Sequence, residues 1–177
     1  MTGDAHERLV ELVAKAPSRE WIEEYFSHLN DLLSHDQIDY REGDDRLVTS
    51  LRSDRVAVTM NSRYVLVAFL NKQRIGFLVR NESKQIDELI KDAEGRYSFD
   101  ALPGEQDSET PDWVEFEDAS RRLANDSIRK NWLTASSIEF NRWSGSPSKN
   151  AHEPLVQEMA MNEEYRDEVL AEAFGSS

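Results

Sequence analysis

Apolar residues near the start of the chain recur at helical spacing. Leu9, Leu12, Val13 and Ala16 fall on one stripe, which predicts a helix from about Asp4 to Ala16 that stops at Pro17. Ser18 is placed to cap a second helix, in which Trp21, Ile22, Tyr25, Phe26, Leu29, Leu32 and Leu33 form a wide apolar stripe. A stripe of that width needs a substantial surface to pack on.

From about residue 46 the period changes to two. Leu47, Thr49 and Leu51 alternate with Val48, Ser50 and Arg52, and Val56, Val58 and Met60 alternate with Ala57 and Thr59. Ile75, Phe77 and Val79 alternate with Gly76 and Leu78, whereas Tyr64 to Leu70 is apolar on both parities. The breaks, Ser53-Asp54, Asn61-Ser62 and Asn71-Lys72-Gln73, are short and polar. This pattern predicts an antiparallel meander of four strands over 46–79, with Tyr64 to Leu70 central and covered on both sides.

Beyond the meander the pattern predicts a short helix over 84–94 ended by Gly95, a strand around Tyr97, Phe99 and Ala101, and an acidic loop over 103–111. Val114 and Phe116 suit a last short strand. Helices then dominate: 119–143 with a break near Asn125-Asp126, Pro154 to Met161, and Glu163 to Phe174 capped by Asn162. The expected fold class is α+β: an antiparallel sheet of four to six strands, an N-terminal helix pair and a C-terminal helical segment. The whole of 1–177 reads as one domain, with 118–177 packed on the helix pair and sheet of 1–117.

Charge sharpens this picture. The net charge is −14, laid out in blocks of −6 (1–40), +4 (41–80), −10 (81–120), +4 (121–149) and −6 (150–177). Arg outnumbers Lys by 15 to 6 beside 35 carboxylates, a composition suited to a salty cytoplasm, where carboxylates keep a surface hydrated. There is no cysteine, which excludes disulfides, thiolate chemistry and cysteine-ligated zinc. Asp4, Glu7, Arg8 and Glu11 interrupt the first helix in a way no secretory signal tolerates, and no apolar run reaches membrane-spanning length. A cytoplasmic address is expected.

Motifs for catalysis are sparse. His28, Asp31 and His35 share one helix face and resemble a zinc-ligand spacing, yet that face is expected to be solvated. His6 and His152 have no evident partner and are expected on the surface. Asp39, Glu42, Asp44 and Asp45 precede the strands, but no Glu-x-Lys follows to complete a metal-dependent nuclease site. The seven glycines are spaced singly, so no phosphate-cradling loop forms, and Ser144-Gly145-Ser146 is not a nucleophile elbow. No enzyme activity, cofactor or metal is expected; an enzyme would need His28 or His35 to meet a carboxylate in a pocket.

The two basic blocks remain. Arg52, Arg55, Arg63, Lys72, Arg74 and Arg80 fall at strand ends or turns, where the meander can gather them along one rim. Arg121, Arg122, Arg129 and Lys130 sit on a helix, followed by Trp143, Ser144, Ser146, Ser148 and Lys149 in a polar loop. Arginines, hydroxyls and an aromatic suit a phosphate backbone with a stacked base. The candidate anion or nucleic-acid contacts are therefore Arg52, Arg55, Arg63, Lys72, Arg74, Trp143 and Lys149. The competing expectation is that these cations pair with the neighbouring acidic blocks.

Two stretches, Arg63-Tyr64-Val65-Leu66 and Tyr165-Arg166-Asp167-Glu168-Val169-Leu170 followed by Ala173-Phe174, resemble segments of accessory domains of modification-dependent restriction systems, whose motor subunits are GTPases. The phosphate-loop motif of those motors is missing, so the resemblance implies an appended domain in a defence or nucleic-acid-handling setting and assigns no residue a role. Two functions are thus expected in competition: a non-catalytic binding or adaptor protein acting through protein contacts, and a nucleic-acid-binding accessory domain. They part on geometry, by whether the basic blocks converge on one exposed surface.

Overall fold

The chain starts with two helices whose limits follow from local chemistry. Helix α1 (Thr2–Val13) ends in a turn just before Pro17, and α2 (Arg19–Leu33) begins where the Ser18 hydroxyl accepts the Trp21 N–H at 3.1 Å. The computed structural model describes residues 2–38, 46–61, 63–80, 94–97, 111–142 and 152–175. Residues 84–93 of the helix expected over 84–94, Phe99 and Ala101 of the expected strand, residues 103–110 of the acidic loop and residues 143–149 lie outside these.

The meander is present with its expected breaks: β1 (Leu47–Arg52), β2 (Arg55–Met60), β3 (Arg63–Phe69) and β4 (Arg74–Arg80). Asn61 and Gln73 take the left-handed backbone that its tight turns require, at φ 52° and 55°. Strands β5 (Glu94–Tyr97) and β6 (Pro111–Phe116) complete a six-stranded antiparallel sheet of order β1-β2-β3-β4-β6-β5. Glu94 and Gly95 belong to β5, so Gly95 is a strand residue where a helix terminator was expected. Pro111 opens β6, which is longer than the pair Val114 and Phe116 suggested. The long C-terminal helix breaks as expected: Asn125 caps it by accepting the N–H groups of Ser127 and Ile128, separating α3 (Ala119–Leu123) from α4 (Asp126–Asn141). Helices α5 (Pro154–Met161) and α6 (Glu163–Phe174) follow, the latter capped by Asn162.

All the described helices contribute to one core on one face of the sheet. Leu9 and Val13 of α1, Tyr25 and Phe26 of α2, Trp132 and Phe140 of α4, and Val169 and Leu170 of α6 join Val58, Leu66 and Phe77 in a single buried cluster. The opposite face holds a smaller cluster, Ala57, Val67, Phe69 and Trp113, with Tyr64 against it. Gly76 exists for this second cluster, since a Cβ there would sit 2.1 Å from the Trp113 ring.

The sheet has an opening that the helices fill. The β2–β3 register shifts between Val58↔Leu66 and Thr59↔Tyr64, which leaves Val65 as an extra residue in a bulge. Strands β3 and β4 pair from Leu66↔Phe77 to Phe69↔Arg74, while β4 continues alongside β6 as far as Arg80↔Pro111. Helix α4 supplies partners in the gap. The Trp132 indole N–H donates to the Val65 carbonyl at 2.9 Å, and the Asn131 amide both donates to the Arg80 carbonyl (2.8 Å) and accepts its N–H (2.7 Å). From α2, the buried Tyr25 hydroxyl lies within 3.1 Å of the Val56 and Leu66 carbonyls, sharing its proton across the β2–β3 seam.

Trp132→Phe keeps most of the ring volume but removes the donor to a buried carbonyl. The expected cost is about 1–3 kcal/mol. It is read as a lower urea midpoint with an unchanged slope.

Candidate functional site

Strand register decides which of the predicted basic residues meet. The pairs Arg52↔Arg55, Arg55↔Phe69 and Phe69↔Arg74 form one cross-strand row on the face opposite the helices. Lys72 sits in the β3–β4 turn beside this row. Arg63 pairs with Met60 at the other end of β3. Six residues of strand separate it from the row, about 20 Å at a rise of roughly 3.3 Å per residue.

At the row, Arg55, Lys72 and Arg74 are each held by a carboxylate or an aromatic ring of the same molecule. The Arg55 guanidinium donates twice to Asp54 (2.9 and 3.0 Å), donates to the Tyr64 hydroxyl (3.1 Å) and lies 5.0 Å from the Phe69 ring centre. The hydrogen bonds from Arg55 hold the Asp54 carboxyl below its ordinary value, and the same pair raises the guanidinium above its own. Lys72 lies 4.9 Å from the same Phe69 ring and 3.5 Å from Glu115, which is buried. Arg74 is 3.5 Å from Glu117. Arg52 and Lys72 are the exposed members, Lys72 with 55% of its side chain accessible.

Arg63 is not a rim residue. Its side chain is 3% exposed and faces Glu139 of α4, itself 1% exposed, across 3.5 Å. The reason is the opening described above: α4 passes over the end of β3, and the Asn61 amide ties that end to the carbonyls of Glu139 and Arg142. Arg142 therefore lies at the Arg63 end, away from Arg55 and Arg74. Trp143 and Lys149, the other predicted contacts, lie outside the described residues, as do Ser144, Ser146 and Ser148. In the second basic block Arg129 pairs with Asp31 (3.0 Å), Arg122 pairs with Asp118 (3.4 Å) and covers the Phe116 ring (4.6 Å), and Arg121, 87% exposed, reaches Asp118 only at 3.9 Å.

The helix face that resembles a zinc site does not converge. Asp31 turns to Arg129, the His35 ring nitrogen accepts the Gln37 N–H at 3.1 Å, and His28 meets the Ser120 hydroxyl at 3.1 Å beneath Trp132. Among the described residues no group of three His, Cys, Asp or Glu side chains is arranged to hold a metal ion.

His6 and His152, expected as unpartnered surface residues, both hold structure together. His6 joins α1 to α6 through the Tyr165 hydroxyl (2.9 Å) and the Glu172 carboxylate. Burial, with Glu168, Glu153, Glu172 and Glu158 nearby, pushes the Tyr165 phenol up to about 12. His152 accepts the Thr49 N–H at 3.1 Å, and Glu153 continues the contact by donating its own N–H to the Thr49 carbonyl. No local sequence signal announces these pairs, whose members are 159 and 103 residues apart.

The two stretches that carry the restriction-system resemblance fall on β3 and α6, where Val65, Leu66, Val169 and Leu170 are core residues. Their spacing is that of packing positions.

Replacing one partner of the Arg63–Glu139 pair leaves the other charge buried. Arg63→Met or Glu139→Leu alone is expected to cost about 3–5 kcal/mol, and the double replacement much less than the sum. A double-mutant cycle in urea measures this.

Burial lowers His28, reinforced by Arg129 and opposed by Asp31 and Glu24; burial also lowers His152, opposed by Glu153. The unfolded chain then binds more protons below the ordinary histidine value of 6.5. Stability is whole above that pH and falls as pH drops through the folded values. The melting temperature is expected to drop as pH falls below 6.5, and to drop less in a His28→Gln, His152→Gln variant.

Comparison of the chain with protein-family models, curated proteins and solved structures found no match. Its activity has to be read from its own residues.

Proposed function

We propose that this chain is a non-catalytic binding or adaptor protein that acts through protein–protein contacts in the cytoplasm. One observation carries the reading: among the described residues, Arg55, Arg63, Lys72, Arg74 and Arg129 are dispersed over the fold and engaged with the chain's own carboxylates and rings. A stacking platform for bases needs exposed aromatics beside free cations. Here Phe69 and Trp113 are buried, and Phe69 already carries Arg55 and Lys72. Three of the four histidines, the usual proton-transfer groups, are occupied in joining helices to each other and to the sheet edge: His6, His28 and His152.

One exposed surface among the described residues is acidic and helical. Glu20, Glu23 and Glu24 of α2 face Glu163 and Asp167 of α6 across a shallow groove. Such a surface repels nucleic acid and anionic lipid and favours contacts with other proteins. No helix among the described residues is long and apolar enough to cross a membrane.

Labelled duplex and single-stranded oligonucleotides decide between this reading and a nucleic-acid-binding accessory domain. No saturable binding is expected even at low salt. Binding at low salt that disappears in an Arg52→Glu, Lys72→Glu variant would overturn the protein-contact reading in favour of the exposed end of the row.

A further inference from the structure

Among the described strands, β1 ends the sheet and pairs with β2 alone. Thr49, in its middle, is met from the outer side by His152 and Glu153, the two residues that lead into α5. Three hydrogen bonds make the contact. The Thr49 N–H donates to His152 Nδ1 at 3.1 Å, the Glu153 N–H donates to the Thr49 carbonyl at 2.6 Å, and the Thr49 hydroxyl donates to the Glu153 carbonyl at 2.9 Å.

The first of these bonds differs in kind from the other two. A backbone N–H can donate to an imidazole nitrogen only where that nitrogen carries no proton, so the contact selects neutral His152 with its proton on Nε2. An imidazolium has two N–H donors and no acceptor. Protonation therefore sets two donors against each other at Thr49, which is fully buried and cannot turn its N–H to solvent. His152 itself is exposed, so its ring exchanges protons with the surrounding water. The Thr49 hydroxyl oxygen, 3.5 Å from the same Nδ1, offers the added proton an acceptor.

The surroundings favour the neutral ring. A positive charge on His152 would stand just before the N-terminus of α5, where the helix dipole opposes it. Among the described residues the charged group acting on the ring is the Glu153 carboxylate, which favours the cation; β1 meets the ring with uncharged Thr49, and α6 approaches Glu153 through the Tyr165 phenol, neutral throughout this range. Burial outweighs Glu153 and holds His152 below the ordinary histidine value of 6.5.

We propose that His152 is a proton-operated clasp on the outer side of β1. Neutral, it holds the Thr49 N–H and seats the start of α5 on the sheet. Protonated, it releases that N–H and turns to the Thr49 hydroxyl oxygen, while the bond from the Glu153 N–H keeps the chain in place. Mild acid thus loosens the seat of α5 without undocking the helix, whose Val156, Met159 and Ala160 stay in the core. The clasp stands apart from the protein-contact reading and operates whichever partner the chain takes.

Nuclear magnetic resonance on the full, isotope-labelled chain tests it. Long-range proton–nitrogen spectra near pH 7 are expected to show His152 Nδ1 without a proton. As the ring titrates towards pH 5, the Thr49 amide is expected to lose at least about tenfold more protection from hydrogen exchange, corrected for the intrinsic rate, than the Val67 amide of the central strand β3, which reports global opening. In a His152→Asn variant, whose Oδ1 accepts at every pH, that excess loss is expected to disappear. A proton on Nδ1 of the neutral ring, a Thr49 amide indifferent to the titration of the ring, or the same excess loss in the variant would each overturn the proposal. The first two are read on the unsubstituted chain and need no variant to fold.

Discussion

A carbonyl buried without a donor costs about 1–3 kcal/mol, and the bulge at Val65 turns one towards the helix layer in the middle of the sheet. The helix layer is arranged around that problem. Trp132 answers the bulge, Asn131 stands in for a missing strand beside Arg80, and Tyr25 serves the β2–β3 seam from the other helix. Each donor is delivered by a long apolar or amphipathic helix whose remaining buried residues fill the core. The position of α4 over the end of β3 then dictates the burial of Arg63 and its pairing with Glu139. One irregularity in the sheet thus fixes where a helix lies and which charge is enclosed.

The alternating charge blocks gain a physical meaning from the same geometry. Lys72 and Arg74, from the first basic block, meet Glu115 and Glu117 of the acidic block that follows. Arg129, from the second, meets Asp31 of the first acidic block. Alternation along the chain is partly a list of partners across the fold. Pairs of this kind on the surface add little stability each, but they neutralise locally and leave the unpaired carboxylates to set the outer field.

Most of the fold was legible because it is written in periodicity. The change from helical spacing to alternation at residue 46, the polar breaks at Asn61 and Asn71 to Gln73, and the Ser18, Asn125 and Asn162 caps all mark elements that form there. The strand at Glu94 was hidden because Gly95 reads equally well as a helix stop. The site was far less legible. Whether Arg55, Arg63 and Arg74 share a rim depends on register and on what passes over β3, and neither is a local property. His6 and His152 look idle in sequence because their partners lie more than a hundred residues away.

That distance has a consequence for how the molecule is made. Thr49 is protected at its outer edge by residues synthesised 103 and 104 positions later. At roughly 5–20 residues per second, β1 waits several seconds on the ribosome with its edge open after the meander has emerged. Throughout that interval the nascent chain presents a pairing edge to its neighbours, including other copies emerging from the same message.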